Sequence, residues 1–263
     1  MTEVQWNAFL EYRESLRDFC KKNTLYSDEL KRLQMEAREK ETGKQIDYSL
    51  DCPLVYNKAY DDFTKDDSIK LIVIGDNPGK SEQLFENQKY LVGQSGKIAC
   101  NFFKNHPELN IDFRKNVIIA NKTPIHTAKT NQLKFLMQHG SSGLVSFIIE
   151  SQIFMADITS KLHQNLIKGC ENINEIPELW LIGYSELKKK GIFEDYRRRL
   201  VENYRAKEND WDFVRVFRHF SMNSFSNEFN AFSAENLSMS SFEKLKFLGL
   251  KHRKEIFGDL TGE

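Results

Sequence analysis

Polar residues follow the apolar runs of this chain, and their types could do chemistry if the fold brings them together. Asp76 and Asn77 come after the first run, Asn121 after the second and His219 after the fourth. A carboxylate can accept a proton, whereas an amide donates and accepts hydrogen bonds without taking one up. A histidine placed where negative charge develops can lower a barrier by roughly 2.7–4 kcal/mol. These types suit proton transfer and recognition of a polar ligand.

The segment Gly75-Asp76-Asn77-Pro78-Gly79-Lys80-Ser81 looks at first like a phosphate-binding P-loop. That motif needs four residues between its first glycine and the Gly-Lys-Ser triplet, and this chain has three. Pro78 also removes one backbone donor from a loop that binds phosphate through its donors. The spacing therefore argues against a P-loop nucleotide hydrolase.

Four apolar runs rich in β-branched residues predict buried strands over residues 71–74, 116–120, 179–182 and 213–217. Helices are predicted between and after them, over residues 96–106, 144–167, 185–204 and 241–257. This alternation predicts an α/β fold, a three-layer α/β/α sandwich around a central four-stranded parallel sheet. Such sheets bind ligands beyond the carboxyl ends of their strands, which is where the polar residues lie.

The chain before the first strand has a different pattern. Trp6, Phe9, Leu10, Leu16 and Phe19 recur at about helical spacing, and charged residues fill the other face. We therefore divide the chain into a helical N-terminal extension, residues 1–50, and an α/β/α domain, residues 51–263.

The composition excludes several classes of protein. The 263 residues include 38 basic and 38 acidic ones, so the protein is not a polycation that covers nucleic acid through its net charge. A local basic patch is still possible. Apolar runs are too short to span a membrane and no secretory signal begins the chain, so we expect a cytoplasmic protein with no membrane partner. The 4 cysteines form no Cys-x-x-Cys pair. We expect free thiols, no metal and no other cofactor.

The loops resemble, in order, the motifs of the uracil-DNA glycosylase superfamily. The first loop, 75–79, is similar to its glycine–polar–proline motif, and residues 89–96 are similar to a segment of its thermophile-type branch. Asn121 stands where the family has a base-reading asparagine, and Gly183 at its strand–glycine–helix turn. Arg218-His219-Phe220-Ser221 stands at its His-Pro-Ser motif. The resemblance covers about residues 52–257.

Departures from the family pattern indicate a divergent member. Phe220 replaces a proline, and Tyr90 replaces the more usual phenylalanine. The cysteines that bind an iron–sulfur cluster in the thermophile-type branch are missing at their spacings. Asn77 resembles the single-strand-selective and mismatch-specific branches, whereas Asp76 stands where the thermophile-type branch has an acid.

The resemblance implies a monofunctional DNA glycosylase that hydrolyses the N-glycosidic bond of uracil, or of a related deaminated base, in base excision repair. Asp76 or Asn77 would hold the attacking water, and His219 would face the base oxygen that gains negative charge. Tyr90 would stack on the flipped base and Asn121 would read its Watson–Crick edge. The implied substrate-binding residues are Gly75, Pro78, Gly79, Tyr90, Asn121 and Ser221.

A glycosylase flips its base out of the duplex, so the resemblance also implies a DNA-binding face and DNA as the partner of a monomer. The expected DNA contacts are Lys80, Lys122, Arg218, Met222 and Asn223. Met222 or Phe225 would serve as the wedge. Arg215 and the basic run 251–254 are further candidates for phosphate contacts. The sequence places no lysine in the pocket as a Schiff-base nucleophile, so we expect no strand cleavage.

Two other functions stay open at this point. The first is a catalytically inactive protein with the glycosylase fold that binds nucleic acid or a partner protein, which Phe220 and the neutral net charge favour. The second is an enzyme that cleaves the glycosidic bond of free nucleosides or nucleotides, which would depend little on basic residues.

Overall fold

A central sheet of four parallel strands organises the molecule, which we describe from a computed structural model covering residues 1–44 and 48–258. The strands are β1 (Leu71–Gly75), β2 (Val117–Asn121), β3 (Glu178–Ile182) and β4 (Val214–Phe217). Their order is β2-β1-β3-β4, and every neighbouring pair is parallel. The predicted four-stranded parallel sheet is therefore confirmed.

Helices precede, connect and follow the strands. In the described part of the chain they are α1 (Glu3–Lys22), α2 (Ser27–Thr42), α3 (Gln94–Asn105), α4 (Gln132–His139), α5 (Ser142–Lys168), α6 (Glu194–Arg205), α7 (Glu208–Trp211), α8 (Ser224–Glu235) and α9 (Ser241–Phe257). None of these described helices is both long enough and apolar enough to cross a membrane.

Side chains of the strands alternate between two apolar cores, one on each face of the sheet. Ile72 and Ile74 enter a core shared with α1, α2, α5 and α6, whereas Leu71 and Val73 enter one shared with α3 and α8. Since successive strand residues point to opposite faces, this alternation shows helices on both sides of the sheet. The arrangement agrees with the predicted α/β/α layering.

The N-terminal helices belong to the first of these cores. Phe9 and Leu16 of α1 are fully buried in it. The hydroxyl groups of Tyr12 in α1 and Tyr60 lie 2.9 Å apart, which joins α1 to the segment before β1. Residues 45–47 of the predicted extension and residues 259–263 of the predicted domain lie outside the described residues.

The helix predicted over residues 185–204 is wrong in its first half. A short 3₁₀ turn, Ser185–Leu187, comes first, and α6 begins only at Glu194. Between them the chain folds back so tightly that a methyl group on Gly191 would lie 2.3 Å from the Glu186 carbonyl oxygen. That oxygen accepts from the Phe193 amide (2.9 Å), and this bond closes the turn.

Candidate active site

Residues from four strand ends meet at the carboxyl edge of the sheet, as the sequence predicts. The backbone N–H of Lys122, after β2, donates to the carbonyl oxygens of Gly75 and Asp76 (both 3.0 Å), at the end of β1. A methyl group on Gly183, after β3, would lie 3.0 Å from the Asp76 carboxylate and 3.1 Å from the His219 ring. Asp76, Gly183 and His219 therefore surround one point.

Lys122 lies inside this site and does not face solvent. It has no exposed surface, and its Nζ donates to Asp76 Oδ1 (2.6 Å) and to the Ile182 carbonyl oxygen (2.8 Å). Burial lowers the pKa of Lys122, and the nearby Asp76 charge opposes that shift. This burial and the bond to Asp76 argue against the predicted contact between Lys122 and a DNA phosphate.

Lys122 thus brings a lysine into the site, where the sequence predicts no Schiff-base nucleophile. It is nevertheless poorly placed for Schiff-base chemistry, because its hydrogens are already donated and its amine is covered by protein. The absence of a strand-cleaving step stays a prediction, now resting on the engagement of Lys122.

Asp76 is the most accessible member of the buried pair, with 13% of its side chain exposed. Its second oxygen, Oδ2, accepts a hydrogen bond from the Thr130 hydroxyl (3.3 Å). Both carboxylate oxygens are thus held by donors, so the group is an acceptor with a defined orientation.

His219 is partly buried, and its hydrogen bonds define its tautomer. The Ser221 backbone N–H donates to Nδ1 (3.0 Å), and the Ser221 hydroxyl lies 2.7 Å from the same nitrogen. Because a backbone N–H only donates, Nδ1 is the acceptor and the neutral ring carries its proton on Nε2. Burial lowers the pKa of His219, with Lys122 acting in the same direction and Asp76 against it. The ring is therefore a neutral Nε2–H donor.

Asn77 is tied to the loop after β2. Its Nδ2 donates to the Thr127 hydroxyl (2.8 Å) and is also within 3.2 Å of the carbonyl oxygens of Thr127 and Pro78. These bonds brace the two loops against each other. An amide cannot take up a proton, so of the two water-holding candidates only Asp76 can act as a base.

Asn121 ends β2, and its side chain carries a buried polar atom without a hydrogen-bond partner among the described residues. The side chain is 2% exposed, and its Nδ2 has no hydrogen-bond partner among the described residues. Gly75 makes room for it, since a methyl group there would lie 2.5 Å from Asn121 Oδ1. An unpaired buried donor costs about 1–3 kcal/mol, so a ligand that accepts from it would recover this energy.

Tyr90 lies in the core and not at an open surface. Its side chain is 1% exposed, and its hydroxyl donates to the Val55 carbonyl oxygen (2.6 Å). The ring packs edge-on against Tyr60, with the ring centres 6.5 Å apart. This burial argues against the predicted stacking of Tyr90 on a base, while the hydroxyl has the partner that a buried tyrosine needs.

The loop after β4 presents Met222 to solvent. Met222 is 89% exposed, and both Met222 and Asn223 have left-handed backbones (φ +56° each). Phe225, in α8, is buried in the second core, so its predicted role as a wedge is wrong and Met222 stays the candidate. Phe220 is fully buried in the same core and anchors the loop.

The remaining predicted DNA contacts differ in the partners that they already have within the protein. Arg218 is half-exposed and pairs with Glu228 (3.1 Å), and Lys80 lies over the Tyr48 ring (4.7 Å). Arg215 is buried and pairs with Glu178 (2.8 Å) at the start of β3, so its predicted phosphate contact is wrong.

A separate cavity of about 670 Å³ lies around that Arg215–Glu178 pair, at the amino ends of the strands. Leu71 and Trp180 also line it. It is therefore distinct from the candidate site at the carboxyl ends.

Glu82 braces the first loop from within, and sequence reasoning missed it. Its Oε2 accepts from the Gly79 backbone N–H (3.2 Å). Burial raises the pKa of this carboxyl group from 4.5 to about 7. The spacing of Gly79 and Glu82, three residues apart, was the available signal, since a side chain there can fold back onto a loop amide.

We expect Glu82→Gln to be more stable than the wild type above pH 7. The unfolded chain ionises Glu82 near pH 4.5 and the folded protein only near pH 7, so wild-type stability falls as pH rises through this window. By pH 8 the loss amounts to about 3 kcal/mol, which the variant avoids. Urea unfolding of both proteins at pH 5 and pH 8 measures the difference, and parallel pH dependences would contradict the prediction.

The described residues contain no group of three or more histidine, cysteine, aspartate or glutamate side chains that could hold a metal ion. Comparison with known protein families, with curated proteins and with solved structures finds no match. The case for a function therefore depends on the site itself.

Proposed function

We propose that this protein is a monofunctional DNA glycosylase that hydrolyses the N-glycosidic bond of uracil, or of a related deaminated base, in DNA. The observation that carries the proposal is the buried Nδ2 of Asn121, which has no hydrogen-bond partner among the described residues. It lies at the strand edge that also holds Asp76 and His219. An amide pairs with a ring edge that offers both an acceptor and a donor, as uracil does. Cytosine exchanges both groups, since its 4-amino group donates where uracil accepts and its N3 accepts where uracil donates. It would leave the amide of Asn121 unpaired, which is how such a site discriminates.

The neighbouring residues supply the chemistry of hydrolysis. Asp76 accepts a proton from the attacking water, whose oxygen bonds to the sugar carbon C1′ as the bond to the base nitrogen breaks. The base leaves with the electron pair, and negative charge grows on its carbonyl oxygen. The Nε2–H of His219 is a donor for that oxygen, and a neutral ring can supply it without losing its own proton.

The DNA side of the proposal depends on the exposed residues around the site. Met222 is the candidate wedge that fills the stack when the base is flipped. Lys80 and Arg218 are the candidate phosphate contacts, of which Arg218 must exchange its bond to Glu228 for a phosphate. We propose that the protein acts on DNA as a cytoplasmic monomer.

Base release from oligonucleotides tests this function directly. We expect the wild type to free uracil from single- or double-stranded DNA, with hypoxanthine and xanthine as the next bases to try. Asn121→Ala should lose roughly 10-fold to 100-fold in release, because the amide donor accounts for about 1–3 kcal/mol of discrimination. The abasic product should stay unnicked until it is heated in alkali. No release of any of the three bases would contradict the proposal.

One observation favours a second candidate, a glycosylase-fold protein that binds nucleic acid without excising a base. The burial of Tyr90 removes the aromatic face that would stack on a flipped base. This alternative predicts oligonucleotide binding that survives the loss of Asp76 and His219, together with no base release by the wild type.

A further inference from the structure

Lys122 is surrounded by oxygen atoms from the ends of two other strands. Besides Asp76 Oδ1 and the Ile182 carbonyl oxygen, its Nζ lies 3.4 Å from the Gly75 carbonyl oxygen and 3.3 Å from that of Gly183. An ammonium has three hydrogens and no acceptor, whereas the four oxygen atoms are acceptors. This environment suits a charged lysine, and the Phe193 ring, 5.3 Å away, lies against the same group.

The position of Lys122 links the strand ends to the reactive carboxylate. The lysine itself follows β2, Gly75 ends β1, and Ile182 ends β3. Asp76 Oδ1 is held by Lys122 and Oδ2 by Thr130. Each oxygen therefore has its own donor, and these two contacts restrain the orientation of the carboxylate.

We propose that Lys122 is a positioning residue of the excision site, which holds Asp76 as a charged and oriented carboxylate so that Asp76 accepts the proton of the attacking water. This inference rests on the proposed function. It assigns to Lys122, which touches no substrate, the task of keeping Asp76 ready to accept a proton.

The electrostatic surroundings of Asp76 make Lys122 its only close cation among the described residues. The titratable groups that face it are Lys122, after β2, and His219, after β4. The loop after β3 faces it with Gly183, which carries no side chain. His219 is neutral in the tautomer that its bonds define, so the ionised carboxylate depends on Lys122 for its counter-charge. A pair this far from water interacts strongly, because little solvent screens it.

Lys122→Met tests the inference against two matched proteins. The methionine keeps the unbranched stem and removes the charge, whereas Lys122→Arg keeps the charge. Lys129→Met removes an exposed lysine of the same loop, which pairs with Glu41 of α2. Under single-turnover conditions we expect Lys122→Met to release base at least 100-fold more slowly, with oligonucleotide affinity changed less than 3-fold. Lys122→Arg should recover part of the rate, and Lys129→Met should match the wild type.

Two further readouts separate positioning from mere support of the fold. In Lys122→Met the loss should appear in the single-turnover rate and not in oligonucleotide affinity, whereas a purely structural defect lowers both. If Lys122→Met does not fold, a second experiment takes its place. The protonation of the Lys122 side chain is then followed by nitrogen NMR in the wild type and in Asp76→Asn. In Asp76→Asn we expect the Lys122 ammonium to lose its proton at lower pH than in the wild type.

The outcomes distinguish this inference from the function on which it rests. Wild-type base release that Lys122→Met leaves intact, or an unchanged titration of Lys122 in Asp76→Asn, would overturn the inference while the glycosylase stands. A wild type that releases no base overturns the proposed function, and this role of Lys122 with it.

Discussion

Asp76→Ala is expected to lower the free energy of unfolding by about 3–5 kcal/mol, because it leaves a buried charge without its partner. Lys122 is completely buried, and among the described residues its only ion pair is the one with Asp76 (2.6 Å). The surrounding carbonyl oxygens offer partial charges only. The folded protein must then either keep an uncompensated ammonium or release its proton, and both cost free energy.

A double-mutant cycle and an exposed pair provide the controls. Asp76→Ala combined with Lys122→Met removes both charges, so it should be more stable than Asp76→Ala alone. Glu11→Ala breaks the exposed pair with Lys161, whose side chains are 54% and 60% exposed, and should cost about 0–1 kcal/mol. Urea unfolding at pH 7.5 measures all of these variants. A loss for Asp76→Ala no larger than that for Glu11→Ala would show that the buried pair contributes little.

The sheet and the place of the site followed from the sequence for a physical reason. Strands buried on both faces are continuous apolar runs, and parallel strands end at the same edge of the sheet. The residues after those runs were therefore expected to meet, and Asp76, Gly183 and His219 do meet. The prediction needed only the local pattern and the parallel topology.

The direction of individual side chains could not be predicted in this way. A lysine is almost always exposed unless it is paired, and the partner of Lys122 is 46 residues away in the chain. Tyr90 and Phe225 likewise follow motifs that suggested a surface role, yet both are buried. For Tyr90 the deciding contact is a backbone carbonyl of Val55, which no side-chain pattern reveals.

Helix α8 is a whole element that the sequence pattern does not predict. Ser224–Glu235 follows the His219 loop and has Phe225 and Phe229 on its buried side. Serine and asparagine fill much of the rest, and these residues favour caps and turns over helix interiors. The helix is held by packing against the second core, which a local pattern does not show.

His219→Ala is expected to slow base release by about 10²–10³-fold, the usual cost of losing one preorganised donor to a developing negative charge. The Nε2–H is available because the Ser221 backbone N–H occupies Nδ1. Oligonucleotide affinity should change little, since this donor acts mainly in the transition state. Single-turnover release and fluorescence anisotropy measure the two quantities separately. A parallel loss of affinity and rate would instead indicate that His219 binds the ground state.

Ser221→Ala is the matched control for this prediction, because it keeps the backbone N–H that sets the tautomer. Only the hydroxyl contact with Nδ1 is lost, so the expected effect on the barrier is about 0.5–1.5 kcal/mol. The pH dependence gives a second check. Burial lowers the pKa of His219 from its ordinary value of 6.5, so any fall in rate caused by protonation of the ring should lie at lower pH than for an exposed histidine. A decline centred at or above pH 6.5 that disappears in His219→Ala would show that the pKa of the ring is not lowered, and would overturn its role as a neutral donor.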